Sequence, residues 1–284
     1  MDFDINSAWT AVYSNTAFLL LYLVVLIVGK RVYDLMTPFS IDEQIIEKKN
    51  LAMATSYFGY TLAMSIIFVG SLLGPSEGLL ADLLKVGGYS AMGIVLLNVS
   101  RVINNKFILS KFNNTKEIID DQNVGTGAVQ AGSYIASALI IGASIHGEGG
   151  GIETALVFFV LCQLALVIMT RIYNLITPFC IHDEIEKDNF AAGIAFSGSL
   201  IAVGIILVKG AAGDFESWQS NLLQLAHYSL IAFVVLPIFR FVLDKLIIWG
   251  IDLNKEISEH QNVGAAVLEF GGTIGFSVVL YFLI

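Results

Sequence analysis

Charge is thin in this chain, basic charge thinnest of all, and cysteine is nearly missing. Only 14% of its 284 residues are charged, against roughly 25% in an ordinary soluble domain. A compact soluble fold cannot cover itself with so little polar surface. Lys and Arg number 15 against 24 Asp and Glu, which excludes nucleic acid as a partner, since that needs basic patches. The two cysteines, Cys162 and Cys180, give no disulfide framework and no metal-like spacing. No G-x-S-x-G, Walker A or dinucleotide fingerprint occurs, and His182-Asp183-Glu184 lacks the two same-face histidines of a zinc hydrolase. Common enzyme classes drop out, and no cofactor is implied. The opening MDFDINSAWT has neither a basic n-region nor a small-residue cleavage pattern, so the first apolar run is expected to stay as an anchor.

What the chain has in abundance is long hydrophobic runs, with 56% of residues hydrophobic. Eight runs, each long enough to cross about 30 Å of hydrocarbon, span about 11–29, 50–73, 83–100, 123–145, 153–170, 189–208, 222–239 and 262–284. The fold class expected is all-α, a polytopic protein whose principal partner is the lipid bilayer. Thirteen of the 15 Lys and Arg lie within or beside the connectors that follow the odd-numbered runs; Lys85 and Lys209 lie on the other side. By the positive-inside rule those connectors are expected to be cytoplasmic and both termini outside.

One cassette recurs four times: an Arg at 31, 101, 171 and 240, an acid-rich connector, then an Asn at 50, 123, 189 and 262. All four hairpins have one orientation. A higher repeat is visible too, since Asn50 to Asn189 and Asn123 to Asn262 are both 139 residues, and copies one and three share RxYxLxTPFxI. Two four-helix units, 1–146 and 147–284, are expected as similar halves about an approximate two-fold axis along the membrane normal. A glycine-rich turn, GEGGG at 147–151, marks the centre.

Counting from each Asn exposes two faces. Ala or Gly occupies the second, ninth and thirteenth positions after it, as in Gly132 and Ala136 or Gly271 and Gly275. Such small-xxx-small pairs let helices approach closely in lipid. The other face carries the polar residues Asn123, Gln130 and Tyr134 in the fourth run, and Asn262, Glu269 and Thr273 in the eighth. In the sixth run this stripe turns apolar at Phe196 and Leu200, which argues against four equivalent sites. Buried polar groups in lipid need partners, so the stripe is expected to face inward. Glu269 is the one acid inside an apolar run, where an unpaired charge costs about 2.5–3.5 kcal/mol. It is the candidate ion or proton site, with His227 and Gln130 as candidate partners; a structural, hydrogen-bonded acid is the competing reading. The four arginines are expected to anchor helix ends and to tie to connector acids. Isoleucine and leucine pairs four apart, such as Ile181 and Ile185, predict short amphipathic helices around the connector end.

On TPFxIxxEI at Thr177 to Ile185, Asn189, Ala191-Ala192 and Gly198, and on Thr37, Pro38, Phe39, Ile41, Asn50 and Gly59 in the first half, the sequence resembles a bacterial inner-membrane family known as domain of unknown function 350. The resemblance covers nearly the whole chain. It implies a fused pair of four-helix units, and a genomic association with polyamine–peptide ligase-like proteins and membrane-stress factors. It supplies no catalytic residues. A channel or transporter for small ions or solutes is the leading functional expectation; the alternative is a non-catalytic scaffold, as a homo-oligomer or with an envelope protein partner. An intramembrane enzyme ranks third, with Glu269 and His227 its nearest approach to a constellation.

Overall fold

In lipid a backbone can satisfy its own hydrogen bonds only as a helix or a closed barrel, and these apolar runs become helices. The computed structural model describes residues 5–145, 149–248 and 250–284. Residues 1–4 of the opening segment, and Gly147 and Glu148 of the central glycine-rich turn, lie outside the described residues. Among the described residues there are eight long helices: α1 (Ile5–Leu35), α2 (Leu51–Leu72), α3 (Leu79–Ile103), α5 (Val124–Ser144), α6 (Ile152–Ile176), α8 (Phe190–Ala211), α9 (Trp218–Val242) and α11 (Val263–Leu283). Three short ones sit in connectors: α4 (Asn114–Ile119), α7 (Ile181–Glu186) and α10 (Leu253–Ser258). No strand occurs among the described residues. Among the described residues, seven helices are long and apolar enough to cross a membrane, so the expected eight is approximate, with α9 as the remaining long helix.

Each repeated Asn starts a helix. Its side-chain Oδ1 accepts the backbone N–H three residues on, from Met53, Thr126, Ala192 and Ala265 at 2.9, 2.9, 3.0 and 3.2 Å. This satisfies one of the orphan donors of the first turn. The residue before each cap turns the chain with a left-handed backbone: Lys49, Gln122, Asp188 and Gln261 have φ of 53, 51, 60 and 49°.

The other end of the Asn side chain ties one repeat to the next. Asn50 Nδ2 donates to the Ile118 carbonyl at 2.7 Å, Asn123 Nδ2 to Ile185 at 2.6 Å and Asn189 Nδ2 to Ile257 at 2.8 Å. These bonds draw the connectors together at one end of the molecule. The apolar pairs expected on short connector helices are there, with Ile181, Ile185, Leu253 and Ile257 fully buried. His182 Nε2 donates across the two halves to the Ile108 carbonyl at 2.6 Å, and burial holds its pKa below the usual 6.5.

Registered in this way, α2, α5, α8 and α11 form a central row, each packed on the next. Every helix of the row but the last also rests between the two long helices of the following hairpin: α2 on α3 and α5, α5 on α6 and α8, α8 on α9 and α11. The small residues form the seams. A Cβ added at Gly59 would strike the Ala131 backbone; one at Gly132 would lie 2.6 Å from the Ser197 side chain, and one at Gly198 2.8 Å from Phe270 Cα. Gln163, on α6, donates to Ser137 on α5 at 3.0 Å, a polar bridge between helices.

The Asn residues do two things, capping and clamping, and substitution separates them. Asn123→Ala or Asn189→Ala loses the cap, about 0.5–2 kcal/mol, and a buried inter-repeat hydrogen bond, about 0.5–1.5 kcal/mol. Asp at the same position keeps the capping oxygen but has no N–H to donate. Thermal unfolding in detergent is expected to place Asn189→Asp between the parent and Asn189→Ala, because it keeps the cap and loses the clamp. Full rescue by Asp would mean that only capping matters.

Candidate functional site

The polar stripe and the arginines meet at the connector end, once in each half. In the second half, Glu269 is fully buried and Arg240 is 6% exposed. Arg240 Nε donates to Glu269 Oε1 at 2.7 Å and Nη2 to Oε2 at 3.2 Å, a two-pronged ion pair. The Tyr173 hydroxyl donates to the same Oε1 at 3.1 Å, and its ring lies 5.4 Å from the guanidinium carbon. Arg240 Nη2 also donates to Asn254 Oδ1 on α10 at 3.0 Å. The Phe196 ring packs on that of Tyr173, at 5.0 Å between centroids. The carboxylate therefore has three donated hydrogen bonds and a cation beside it, the condition under which a buried charge is tolerable.

The same positions in the first half carry a different set. Arg101 matches Arg240, Tyr33 matches Tyr173, and Gln130 stands where the second half has Glu269. Arg101 is 8% exposed, its guanidinium 4.6 Å from the Tyr33 ring centre. One nitrogen, Nη2, donates to the Met36 carbonyl at 3.0 Å, whereas the buried Nη1 has no hydrogen-bond partner. No carboxylate lies within ion-pair distance of Arg101 among the described residues. Gln130 turns instead to Ser56, whose hydroxyl donates to it at 2.6 Å. The fully buried Tyr134 hydroxyl is without a hydrogen bond, as is the Asn114 Oδ1. These groups line a cavity of about 150 Å³ with Thr37 and Asn105. Around it the rings of Tyr33, Tyr57, Tyr60 and Tyr134 pack edge-on or stacked, at centroid distances of 4.8–6.2 Å.

The expected site residues thus separate. Glu269 belongs to the neutralised site, Gln130 and Tyr134 to the open one, and Thr273, one turn along α11 from Glu269, is buried with its hydroxyl unbonded. Asn123 and Asn262 are helix caps, and their amides also hold the connector acids Glu117 and Glu256 at 2.9 and 2.8 Å. Burial raises the pKa of Glu117, whereas the hydrogen bond from Asn262 lowers that of Glu256. His227 is exposed on α9 beside Tyr228 and is not a partner of Glu269. The expected ties from the four arginines to connector acids are not formed among the described residues. Arg31 and Arg171 are exposed, and the connector acids Glu43 and Glu184 pair with Lys48 and Lys187. Arg240 was the residue that sequence spacing missed as the counter-charge of Glu269.

Helix content, membrane-length helices and the tandem halves define a polytopic integral membrane protein. The profile of the family described as Domain of Unknown Function (DUF350) matches twice, over residues 7–145 and 149–284, and the chain belongs to that family. A UPF0719 transmembrane protein of Aquifex aeolicus (strain VF5) is 25% identical over 248 residues, covering 85% of this chain and 90% of that protein. The UPF0719 transmembrane protein YshE of Bacillus subtilis (strain 168) is 24% identical over 123 residues; these are 87% of its length but 43% of this chain, so it corresponds to one unit. No solved structure matches.

Removing one member of a buried ion pair costs about 3–5 kcal/mol, while replacing both with apolar groups of similar size is often neutral. Glu269→Gln is therefore expected to lower the unfolding midpoint in detergent sharply, and Arg240→Met with Glu269→Leu to recover most of the loss. A double variant as unstable as the single one would contradict the pairing as the source of the cost.

Proposed function

We propose that the protein is a channel or transporter for small ions or solutes, and that the species it handles is a small anion held at Arg101. One observation carries this reading: a buried guanidinium with an unpartnered nitrogen, facing a polar cavity, where the duplicated half supplies a carboxylate of its own. Glu269 shows what completes such a site, two acceptor oxygens at hydrogen-bond distance from an arginine. In the first half a chloride ion or a short carboxylate would take that place, with Tyr134 as a further donor. The volume of about 150 Å³ holds roughly five waters' worth of matter, which favours ions of a few heavy atoms. Basic residues gather at the connector end, and by their bias this end faces the cytoplasm of a bacterial inner membrane.

Glu269 then serves as a fixed counter-ion rather than as the carrier of a cation, because both its oxygens are already engaged. A scaffold remains the second reading. The observation favouring it is that the central helices α5 and α8 are packed and buried along most of their length.

Flux of chloride and of short carboxylates into proteoliposomes distinguishes the two. Arg101→Leu removes charge-assisted hydrogen bonds worth about 1.5–3 kcal/mol, so anion flux is expected to fall by about tenfold or more, with Arg101→Lys intermediate. Absence of flux for a broad panel of ions in folded, reconstituted protein would move the assignment to the scaffold.

A further inference from the structure

The seam repeated along the central row stops at both ends, and the two ends are complementary. Within the chain, the residue eight after one Asn packs on the residue nine after the preceding Asn: Ala131 on Gly59, Ser197 on Gly132, Phe270 on Gly198. On α11 the receiving position is Gly271, and nothing lies within 4 Å of a Cβ built there or at Gly275. On α2 the inserting position is Phe58, 62% exposed and of the same residue type as Phe270. α11 is exposed along most of its length, whereas α5 and α8, which have a neighbour on both sides, are buried along most of theirs.

Two further features end in the same way. Asn50, Asn123 and Asn189 each donate to an isoleucine carbonyl of the next connector, but among the described residues the side chain of Asn262 donates only to its own Glu256, and Asn262 is exposed. Each accepting isoleucine directly follows the residue whose carbonyl binds the next Asn N–H, namely Glu117, Glu184 and Glu256. In the first connector that residue is Gln44, so the matching carbonyl is that of Ile45, at the far end of the row. Besides, each of the first three row helices rests between the two long helices of the next hairpin. Between α1 and α2, where a preceding row helix would lie, there is an apolar groove of about 580 Å³ lined by residues including Phe18, Tyr22, Ser65 and Val69.

We propose that copies of this chain join head to tail in the membrane, with α11 of one copy seated in the α1–α2 groove of the next. Phe58 then packs on Gly271 of the preceding copy, and that copy's Asn262 donates to the Ile45 carbonyl. The contact is heterologous, so assembly continues until rotation closes a ring. Its driving force is the close backbone approach and interhelical hydrogen bonding that already join the repeats. This assembly is independent of what occupies the Arg101 cavity.

The test uses full-length chains lacking Cys162 and Cys180, replaced by Ala and Ser. Phe58→Cys and Gly271→Cys are placed on separately tagged copies and co-expressed, and membranes are oxidised. A disulfide between the two kinds of copy is expected, and none when either variant is present alone. A cross-link by one variant alone would indicate a face-to-face dimer and overturn the proposal. So would the absence of a mixed disulfide in chains that keep the parental unfolding midpoint. Native mass spectrometry of the unmodified protein gives a second, fold-preserving check: oligomers that Gly271→Trp reduces support the proposal, and a monomeric parent rejects it.

Discussion

The donation of a helix-capping asparagine to a carbonyl of the following connector is the contact on which the rest of this architecture depends. Between apolar helices in lipid no hydrophobic force selects one register over another. A directional hydrogen bond at one end of the seam does so, and it is made by a side chain already fixed by its capping role. Once the register is set, the small residues meet backbone at each crossing, and the helices come close enough for dispersion to act over their length. The same step, taken three times, brings Tyr33 beneath Arg101 and Tyr173 beneath Arg240.

Duplication therefore delivered two arginine–tyrosine pairs at equal depth, and one side chain decides how they differ. Where the row helix offers Glu269, the guanidinium is neutralised within the protein. Where it offers Gln130, the amide finds Ser56 and leaves the positive charge to the cavity. A buried cation with an idle N–H is costly unless something from outside completes it. The asymmetry of the halves is thus an asymmetry of charge compensation within a shared backbone plan.

Much of this was readable beforehand. The repeated Asn, the small face and the connector isoleucines recur at fixed spacing because every hairpin meets the same packing problem, and the structure uses them for packing. The partner of Glu269 was not readable from chemistry alone. His227 attracted notice as a titratable group, but it lies thirteen residues before Arg240 on α9, about 20 Å along the axis at 1.5 Å per residue. Glu269 is seven residues from its cap and so lies near the connector end, at the depth of Arg240. Depth measured from the caps was the available signal. The Tyr in RxYxLxTPF was visible as a repeat, but its contact with an arginine of the next hairpin depends on the step between hairpins, which no single helix encodes. The open seam of α11 was hidden for the same reason: Gly271 looks like Gly59 until its surroundings are seen, with nothing within 4 Å of a Cβ built there.

The difference in charge compensation between the halves can be read directly by anomalous scattering from crystals of the protein in bromide. The account predicts a bromide peak beside Arg101 Nη1, within the cavity shared with Tyr134, and none beside Arg240, where the Glu269 carboxylate already occupies the position. Equal peaks at both arginines, or an empty Arg101 cavity at saturating bromide, would contradict it.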